Sequence, residues 1–557
     1  MRSLRGFGEG NAYSDDVFLH QALARLRPGL AEKNGERLER FGRWVAEEAD
    51  PAAAYSDREA PPRLIETTEG DPAARLLVNP RYAAIHRDAY RHGMVALNHG
   101  TDPEPFLLTF VMGYLLSQAD ISVHCPVTLT GAVALVLDRL APAELRARWL
   151  PPLTRMDGTA WTGGTWATEK DGGSDVGAST TAARDLGGGR FALSGLKFFC
   201  SNAGCDVAIA TARPGGAPPG SAGLGLYLVP RIRPDGAPNG YRIRRLKDKL
   251  GTRGLPTGEI DLLEAYAEEV APPPRGFKLM MEALEFSRVH NIFAAAGAQR
   301  RAFVEALGHA GRRSAFGAPI LSYPMVQASL LELQMELEAS LLMAVAAADA
   351  FDKVWRRGTA AREEDRAWLR LLVAAAKYRT AEQAVRAASA AIEMLGGIGY
   401  TEEYATARLL RDAQVLTVWE GPSNIQALEL LRILAGPAQG AAILSARIGA
   451  LLDSLPTGVQ DAVPPVRRLL DEIASDSAAV RADPGRGQHL AKRLLDHTAD
   501  LLCASLLLDE AGHSLSGGDG RAAAIARRYV ARRLLHAERE LAPGLAEAVL
   551  FYEPVAV

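Results

Sequence analysis

From Asp15 to about Leu150, apolar residues recur at helical spacing. The run is interrupted at Ala60-Pro61-Pro62 and stops again at Pro103, Pro105 and Pro126. The pattern predicts a helical N-terminal domain, residues 1–157, that begins with a long arm. Between Gly158 and Pro272 glycines cluster and the period drops to two: Phe191 and Leu193, then Leu196, Phe198 and Cys200, alternate with other residues. Val207 to Thr211, Leu224 to Val229 and Tyr241 to Arg244 add short strands, so residues 158–275 are expected to form a small β domain. After Pro272-Pro273-Pro274 the helical period returns, with Leu330, Leu333, Leu337, Leu341 and Val345 on one face of a long helix and Glu332 and Glu336 elsewhere on its surface. A second long helix, Asp365 to Met394, meets a glycine stop at Gly396-Gly397. These helices predict a bundle over 276–437. The break at Gly436-Pro437 marks off an additional helical domain, 438–557. No internal repeat is visible.

Composition narrows the function classes. A chain of 557 residues exceeds one ordinary core and suits three or four domains. With net charge -3 and 23% charged residues it has no general attraction for nucleic acid or an anionic membrane. The most apolar stretch, Phe106 to Leu116, is about half of the ~20 residues a membrane-spanning helix needs, and is expected to be a buried helix. The N-terminal run shows no secretory signal pattern, which leads to an expected cytoplasmic location. Cys125, Cys200, Cys205 and Cys503 form no C-x-x-C pair and no disulfide framework, and no metal site is expected.

Five segments carry candidate chemistry. Ala167-Thr168-Glu169-Lys170-Asp171-Gly172-Gly173-Ser174-Asp175-Val176 offers amides and hydroxyls to an anionic or carbonyl-rich ligand, although a plain surface turn has the same composition. Gly195 to Asn202 is a strand bearing Phe199 and Ser201; an aromatic there can simply be core packing. Arg312-Arg313-Ser314-Ala315-Phe316-Gly317 presents a guanidinium suited to a phosphate pair, or to a solvated helix end. Glu393-Met394-Leu395-Gly396-Gly397-Ile398-Gly399-Tyr400 is a glycine turn that a ligand could approach closely. Val418-Trp419-Glu420-Gly421-Pro422-Ser423-Asn424-Ile425-Gln426 places a carboxylate before a helix start, where it can act as a base or merely favour the helix end.

Taken in order, these segments resemble the signatures of the acyl-CoA dehydrogenase superfamily. The resemblance implies an α+β, mainly helical chain with the acyl-CoA dehydrogenase fold: an N-terminal α domain, a middle β domain and a C-terminal four-helix bundle, here with an extra helical domain. It implies FAD as cofactor, with Ala167, Thr168, Gly173, Ser174, Phe199 and Ser201 around the flavin and pyrophosphate. Arg313, Phe316, Glu393, Gly396, Gly397, Pro422 and Asn424 complete the implied cofactor set, some from a neighbouring subunit. Glu420 is the implied base for the α-proton of an acyl-CoA-type thioester, the β-hydrogen leaving as hydride. His124, Thr128, Glu285, Arg288, Trp419 and Gly421 are the implied substrate contacts. Some branches place the base just before Arg288; Ser287 stands there, which leaves Glu420. Two positions depart from the pattern, Pro324 and Glu393, each standing where a glutamine is usual.

Val123 to Thr130, Arg245 to Gly251 and Phe286 to Asn291 resemble the AidB-like adaptive-response subgroup. That likeness implies a homotetramer or dimer of dimers, electron transfer to an electron-transfer flavoprotein, and an alternative role: DNA binding and protection during alkylation stress, with weak dehydrogenase activity. Residues 441–557 hold 13 Lys and Arg against 15 Asp and Glu, the wrong balance for a nucleic-acid module, although Arg527, Arg528, Arg532 and Arg533 fall near one helical face. Oxidase chemistry in the same fold is a third reading.

Overall fold

A computed structural model describes residues 6–65, 75–357, 360–537 and 544–556. The chain divides into two compact units, residues 48–290 and the first 47 residues together with 291–557. The helix Arg275–Arg312 belongs in part to each.

In the 48–290 unit, the helices Phe106–Ser117 and Ile121–Arg139 are buried almost throughout, which their unbroken apolar sequence demands. Ile121–Arg139 is, by length and composition, apolar enough to cross a membrane, and its whole apolar window is buried inside the protein. Pro126 does not stop this helix as its sequence predicts; it lies inside it. A proline leaves the carbonyl four residues back without its usual donor. That carbonyl, on Ser122, faces the Tyr82 hydroxyl at 3.5 Å.

The β region is a closed sheet. Ala182–Gly187, Arg190–Ser201, Thr257–Ala271, Gly225–Pro230 and Val207–Pro214 pair in that order, and Val207–Pro214 returns to Ala182–Gly187. Gly163–Trp166 joins parallel to Val207–Pro214, and Tyr241–Leu246 joins Thr257–Ala271. Closure removes most exposed strand edges, and Leu193, Tyr227, Val229, Ile260 and Leu262 fill the interior. The long strand Thr257–Ala271 escapes the sequence pattern because Glu259, Asp261, Glu268 and Glu269 interrupt its apolar alternation. Three of them are buried against cations: Glu259 by Arg245 and Lys247, Asp261 by Arg242 and Arg244, Glu268 by Arg148.

The other unit is helical, apart from one short hairpin, among the described residues. Its long helices are Pro324–Arg357, Glu363–Leu395 and Gly487–Ser516. Leu330, Leu337, Leu341 and Val345 are buried as their period predicts. Glu332 and Glu336, expected on an open surface, are instead ion-paired to the last helices: Arg528 Nη2 lies 2.5 Å from Glu332 and Arg533 Nη2 2.6 Å from Glu336. The N-terminal arm belongs here rather than with the helices that follow it in sequence. Arg25 pairs with Asp509 and Glu510, and Arg300 donates to the Asp15 carbonyl at 2.8 Å. These ties depend on residues far apart in the chain, so local pattern could not predict them.

Candidate active site

Within the 48–290 unit, the loop 167–176 leaves the short strand Gly163–Trp166 and folds back on Arg190–Ser201. Phe198 N–H donates to the Thr168 carbonyl at 2.9 Å. The anchor is a charge pair that sequence reading passed over. Glu169 accepts from Thr180 N–H at 2.7 Å and Oγ1 at 2.9 Å, from Thr181 N–H at 3.2 Å and Oγ1 at 2.5 Å, and from Lys197 Nζ at 2.8 Å. Lys197 is 0% exposed and also donates to the Thr211 carbonyl at 2.8 Å. Burial by itself would raise the Glu169 carboxyl, but the Lys197 ammonium and this set of donors outweigh it and hold the group at about 2. The alternation of Leu196, Phe198 and Cys200 puts Lys197 on the opposite side of the strand, and irregular register on either side of it is what buries the lysine.

Above this anchor the candidate cofactor residues are arranged openly. Ala167 is buried and Thr168 half-buried, while Gly173 and Ser174 are exposed; a Cβ on Gly173 would approach nothing nearer than Thr168 Cγ2 at 3.9 Å. Phe199 is 54% exposed, unusual for an aromatic in a sheet. Lys247 Nζ lies 4.6 Å from its ring centroid and 3.1 Å from that of Phe198. Ser201 Oγ is 3.4 Å from Thr257 Oγ1. An accessible aromatic face, a glycine-rich tip and uncrowded hydroxyls form a donor set that fits an isoalloxazine and its diphosphate.

The helical part of the same unit joins two of the expected substrate residues. His124 Nε2 is 3.1 Å from His290 Nδ1 and 3.3 Å from Thr128 Oγ1, while His124 Nδ1 is 3.0 Å from Ser117 Oγ. A side chain on Gly113 would meet both imidazoles, at 2.6 and 3.0 Å. Burial lowers His124 to about 3 and His290 well below the usual range, so both rings are neutral. Phe110 and Phe286 pack edge-on against His290. Glu285 and Arg288 are half-buried on the helix Arg275–Arg312. Ser287 is buried, its hydroxyl donating to the Ala283 carbonyl one turn back at 3.2 Å.

The remaining candidates lie in the helical unit. Arg313 is exposed at the end of Arg275–Arg312, followed by a two-residue hairpin turn, Phe316-Gly317, with both φ values positive. Phe316 is 99% exposed. Glu393 is exposed in the last turn of Glu363–Leu395, and Gly396, at φ 69, ends that helix beside exposed Gly397. Trp419, half-buried, precedes Glu420, a non-glycine residue at φ 58, a conformation that costs about 1–2 kcal/mol. Gly421 follows at φ 99, and Pro422 caps the helix Ser423–Ala435, on whose first turn Asn424 is exposed. Gln426 Nε2 donates to the carbonyls of Glu420 at 3.1 Å and Gly421 at 3.0 Å, and Lys377 Nζ to that of Gly421 at 2.8 Å. Gln426 closes the segment read in sequence but was given no role there, and Lys377 was not singled out. The signal for Lys377 was a cation inside an otherwise apolar helical run, Leu371 to Ala376.

The arginines near the C-terminal end of the chain are ion-paired, some at the surface and some buried. Arg527 meets Asp461 at 3.0 Å, Arg528 and Arg532 share Glu332, Arg533 holds Glu336, and buried Arg521 pairs with buried Glu338. The basic face read from sequence is thus matched by carboxylates. No cluster of metal-ligating side chains occurs among the described residues.

Helical regions on either side of a small β domain, with a glycine-rich loop and an aromatic strand, define the class of acyl-CoA dehydrogenase-fold flavoproteins. Residues 164–264 match the acyl-CoA dehydrogenase middle domain, 274–435 its C-terminal domain, and 4–157 the adaptive response protein AidB N-terminal domain. The chain belongs to the acyl-CoA dehydrogenase family, whose members are FAD-dependent oxidoreductases. It is 30% identical over 529 residues to acyl-CoA dehydrogenase family member 11 of Caenorhabditis elegans, covering 90% of this chain and 85% of that one. It is 34% identical over 332 residues to putative acyl-CoA dehydrogenase AidB of Escherichia coli (strain K12), covering 58% of this chain and 59% of AidB. The crystal structure of Caenorhabditis elegans ACDH-11 in complex with C11-CoA superimposes with a TM-score of 0.88 at 27% identity, over 97% of this chain and 93% of that one.

Proposed function

We propose that this enzyme removes the α-proton of an acyl-CoA-type thioester with Glu420 and yields the α,β-enoyl product. The observation that carries the reading is the turn 419–422: a carboxylate in a left-handed conformation, its following carbonyls held by Lys377 and Gln426. A solvated helix-end glutamate has no need of a strained backbone so supported. Ser287, at the alternative position for a base, donates into its own helix and carries no carboxylate.

Bound FAD supplies the hydride acceptor. Thr168, Ser174, Phe199 and Ser201 are the residues of the β region that would hold it; the family likeness assigns Arg313 to the FAD of a neighbouring copy and Gly396 and Gly397 to close approach to a dinucleotide. Glu420 acts as the base, taking the proton at Cα onto its carboxylate oxygen; a general base of this kind contributes about 10²–10⁴ in rate. The neutral His124–His290 pair keeps positive charge out of the helical interior near Thr128, which suits an uncharged acyl chain. Assembly with further copies of the chain, as a homotetramer or dimer of dimers, follows from the likeness to the AidB N-terminal domain. Reoxidation by an electron-transfer flavoprotein completes the turnover.

The second reading, DNA protection, rests on the likeness to AidB. The ion pairing of Arg521, Arg527, Arg528, Arg532 and Arg533 leaves those side chains already engaged, so dehydrogenation is preferred. The test is anaerobic addition of an acyl-CoA panel, including the C11 acyl-CoA seen in the ACDH-11 complex. Bleaching of the oxidised flavin by one acyl class supports the proposal. Flavin that stays oxidised with every thioester, together with duplex-DNA binding that falls steeply with salt, overturns it in favour of the second reading.

A further inference from the structure

The turn that carries Glu420 is held by two side chains, one remote and one local in sequence: Lys377, from the middle of Glu363–Leu395, and Gln426, from the first turns of Ser423–Ala435. Both are buried, each about 1% exposed. The Gly421 carbonyl accepts from Lys377 Nζ at 2.8 Å and Gln426 Nε2 at 3.0 Å, and the Glu420 carbonyl accepts from Gln426 Nε2 at 3.1 Å. In a trans peptide the N–H and C=O groups point in opposite directions. Turning the Glu420 carbonyl toward Gln426 therefore turns the Gly421 N–H away from it. The positive φ values of Glu420 and Gly421, 58 and 99, are the conformations this arrangement selects. A side chain at Gly421 would be strained at φ 99, and its Cβ, 2.8 Å from Gln426 Nε2, would push that amide away from the carbonyls it holds.

Lys377 contributes a charge-assisted hydrogen bond to the Gly421 carbonyl, a bond about twice as strong as a neutral one. We propose that Lys377 and Gln426 are positioning residues that lock the Glu420–Gly421 turn in the orientation proton abstraction requires. The inference rests on Glu420 being the base. It assigns the two side chains no contact with substrate or cofactor.

The experiment compares Lys377→Met, Lys377→Arg, Gln426→Met and Glu420→Gln in the FAD-loaded enzyme, by anaerobic stopped-flow reduction with the best acyl-CoA. Flavin content and thermal midpoint are recorded for each. A misplacement of about 1 Å at a reacting group costs roughly 10²-fold, so Lys377→Met is expected to slow flavin reduction by about that factor while the acyl-CoA concentration for half-maximal rate changes by less than about threefold. Gln426→Met is expected to lose about 10-fold in the same way, and Lys377→Arg to recover part of the rate. Reduction at the wild-type rate in Gln426→Met and in any folded Lys377→Met overturns the proposal. So does a loss confined to half-saturation, which would mean a binding role. If Lys377→Met does not fold, Gln426→Met decides. Glu420→Gln separates the two layers: wild-type reduction in that variant removes the base assignment and this inference together, whereas a dead Glu420→Gln beside unimpaired Lys377 and Gln426 variants removes only the positioning role.

Discussion

Glu169 and Glu420 are both carboxylates in short sequence motifs, yet the protein treats them in opposite ways. Around Glu169 the donors go to the side chain: two threonine amides, two hydroxyls and the Lys197 ammonium saturate its oxygens and hold it ionised. At Glu420, Lys377 and Gln426 donate to the main-chain carbonyls of Glu420 and Gly421 and hold the turn in a left-handed conformation. A carboxylate so thoroughly hydrogen-bonded is a fixed strut. At Glu420 the backbone of the turn is itself secured, which aims the residue that it carries.

The comparison can be broken most forcefully at Lys197. Lys197→Met leaves Glu169 buried beside an apolar side chain, and breaking such a pair costs about 3–5 kcal/mol. Denaturant unfolding is expected to show that loss, with flavin released early because the 167–176 loop is freed; unchanged stability would mean that the pair is not a strut. Gly421→Ala acts on the other member. The positive φ and the crowding against Gln426 predict a loss of about 1–3 kcal/mol, together with slower flavin reduction, measured on protein of verified flavin content.

Acid sharpens the contrast between regions. The folded Glu169 carboxyl lies below its ordinary value of 4.5, so the unfolded chain takes up a proton that the folded chain refuses. Its stabilising contribution is complete above pH 4.5 and fades as pH falls toward about 2. His124 acts earlier. Its folded value of about 3 is below the ordinary 6.5, so the unfolded chain again binds the extra proton, and stability drops by about 1.4 kcal/mol for each pH unit below 6.5. In His124→Gln, urea midpoints between pH 7 and pH 5 should fall less steeply than in wild type; an identical slope would contradict the neutral buried pair. The smallest effect is expected at the surface, where Arg527→Ala, losing its exposed pair with Asp461, should change stability by less than about 1 kcal/mol and leave flavin reduction untouched.

Much of this was legible in the sequence. The long helices, the glycine stop at Gly396 and most strands follow from period and composition. What was hidden depends on distant partners. Pro126 reads as a helix stop, yet the helix continues past it, with Tyr82 facing the carbonyl it leaves short of a donor. The strand Thr257–Ala271 is acid-rich in a way that hides its period, until its carboxylates meet arginines from other elements. The same holds for the site: Glu420 is recognisable from its neighbours in sequence, but Lys377 lies 43 positions away and only the bundle brings it to the turn. The C-terminal arginine face shows the converse, a pattern clear in sequence whose charges are matched by Glu332, Glu336 and Asp461.

The most direct measurement of the central claim isolates the proton transfer. A 3-thia-acyl-CoA, which resists oxidation at its β position, is incubated with the FAD-loaded enzyme in D₂O, and exchange of its α-hydrogen is followed by proton NMR. The account predicts enzyme-catalysed exchange in the wild type and its loss in Glu420→Gln by at least about 10²-fold, the lower end of a general base's contribution. Exchange at the wild-type rate in Glu420→Gln would contradict it, since another group would then be taking the proton.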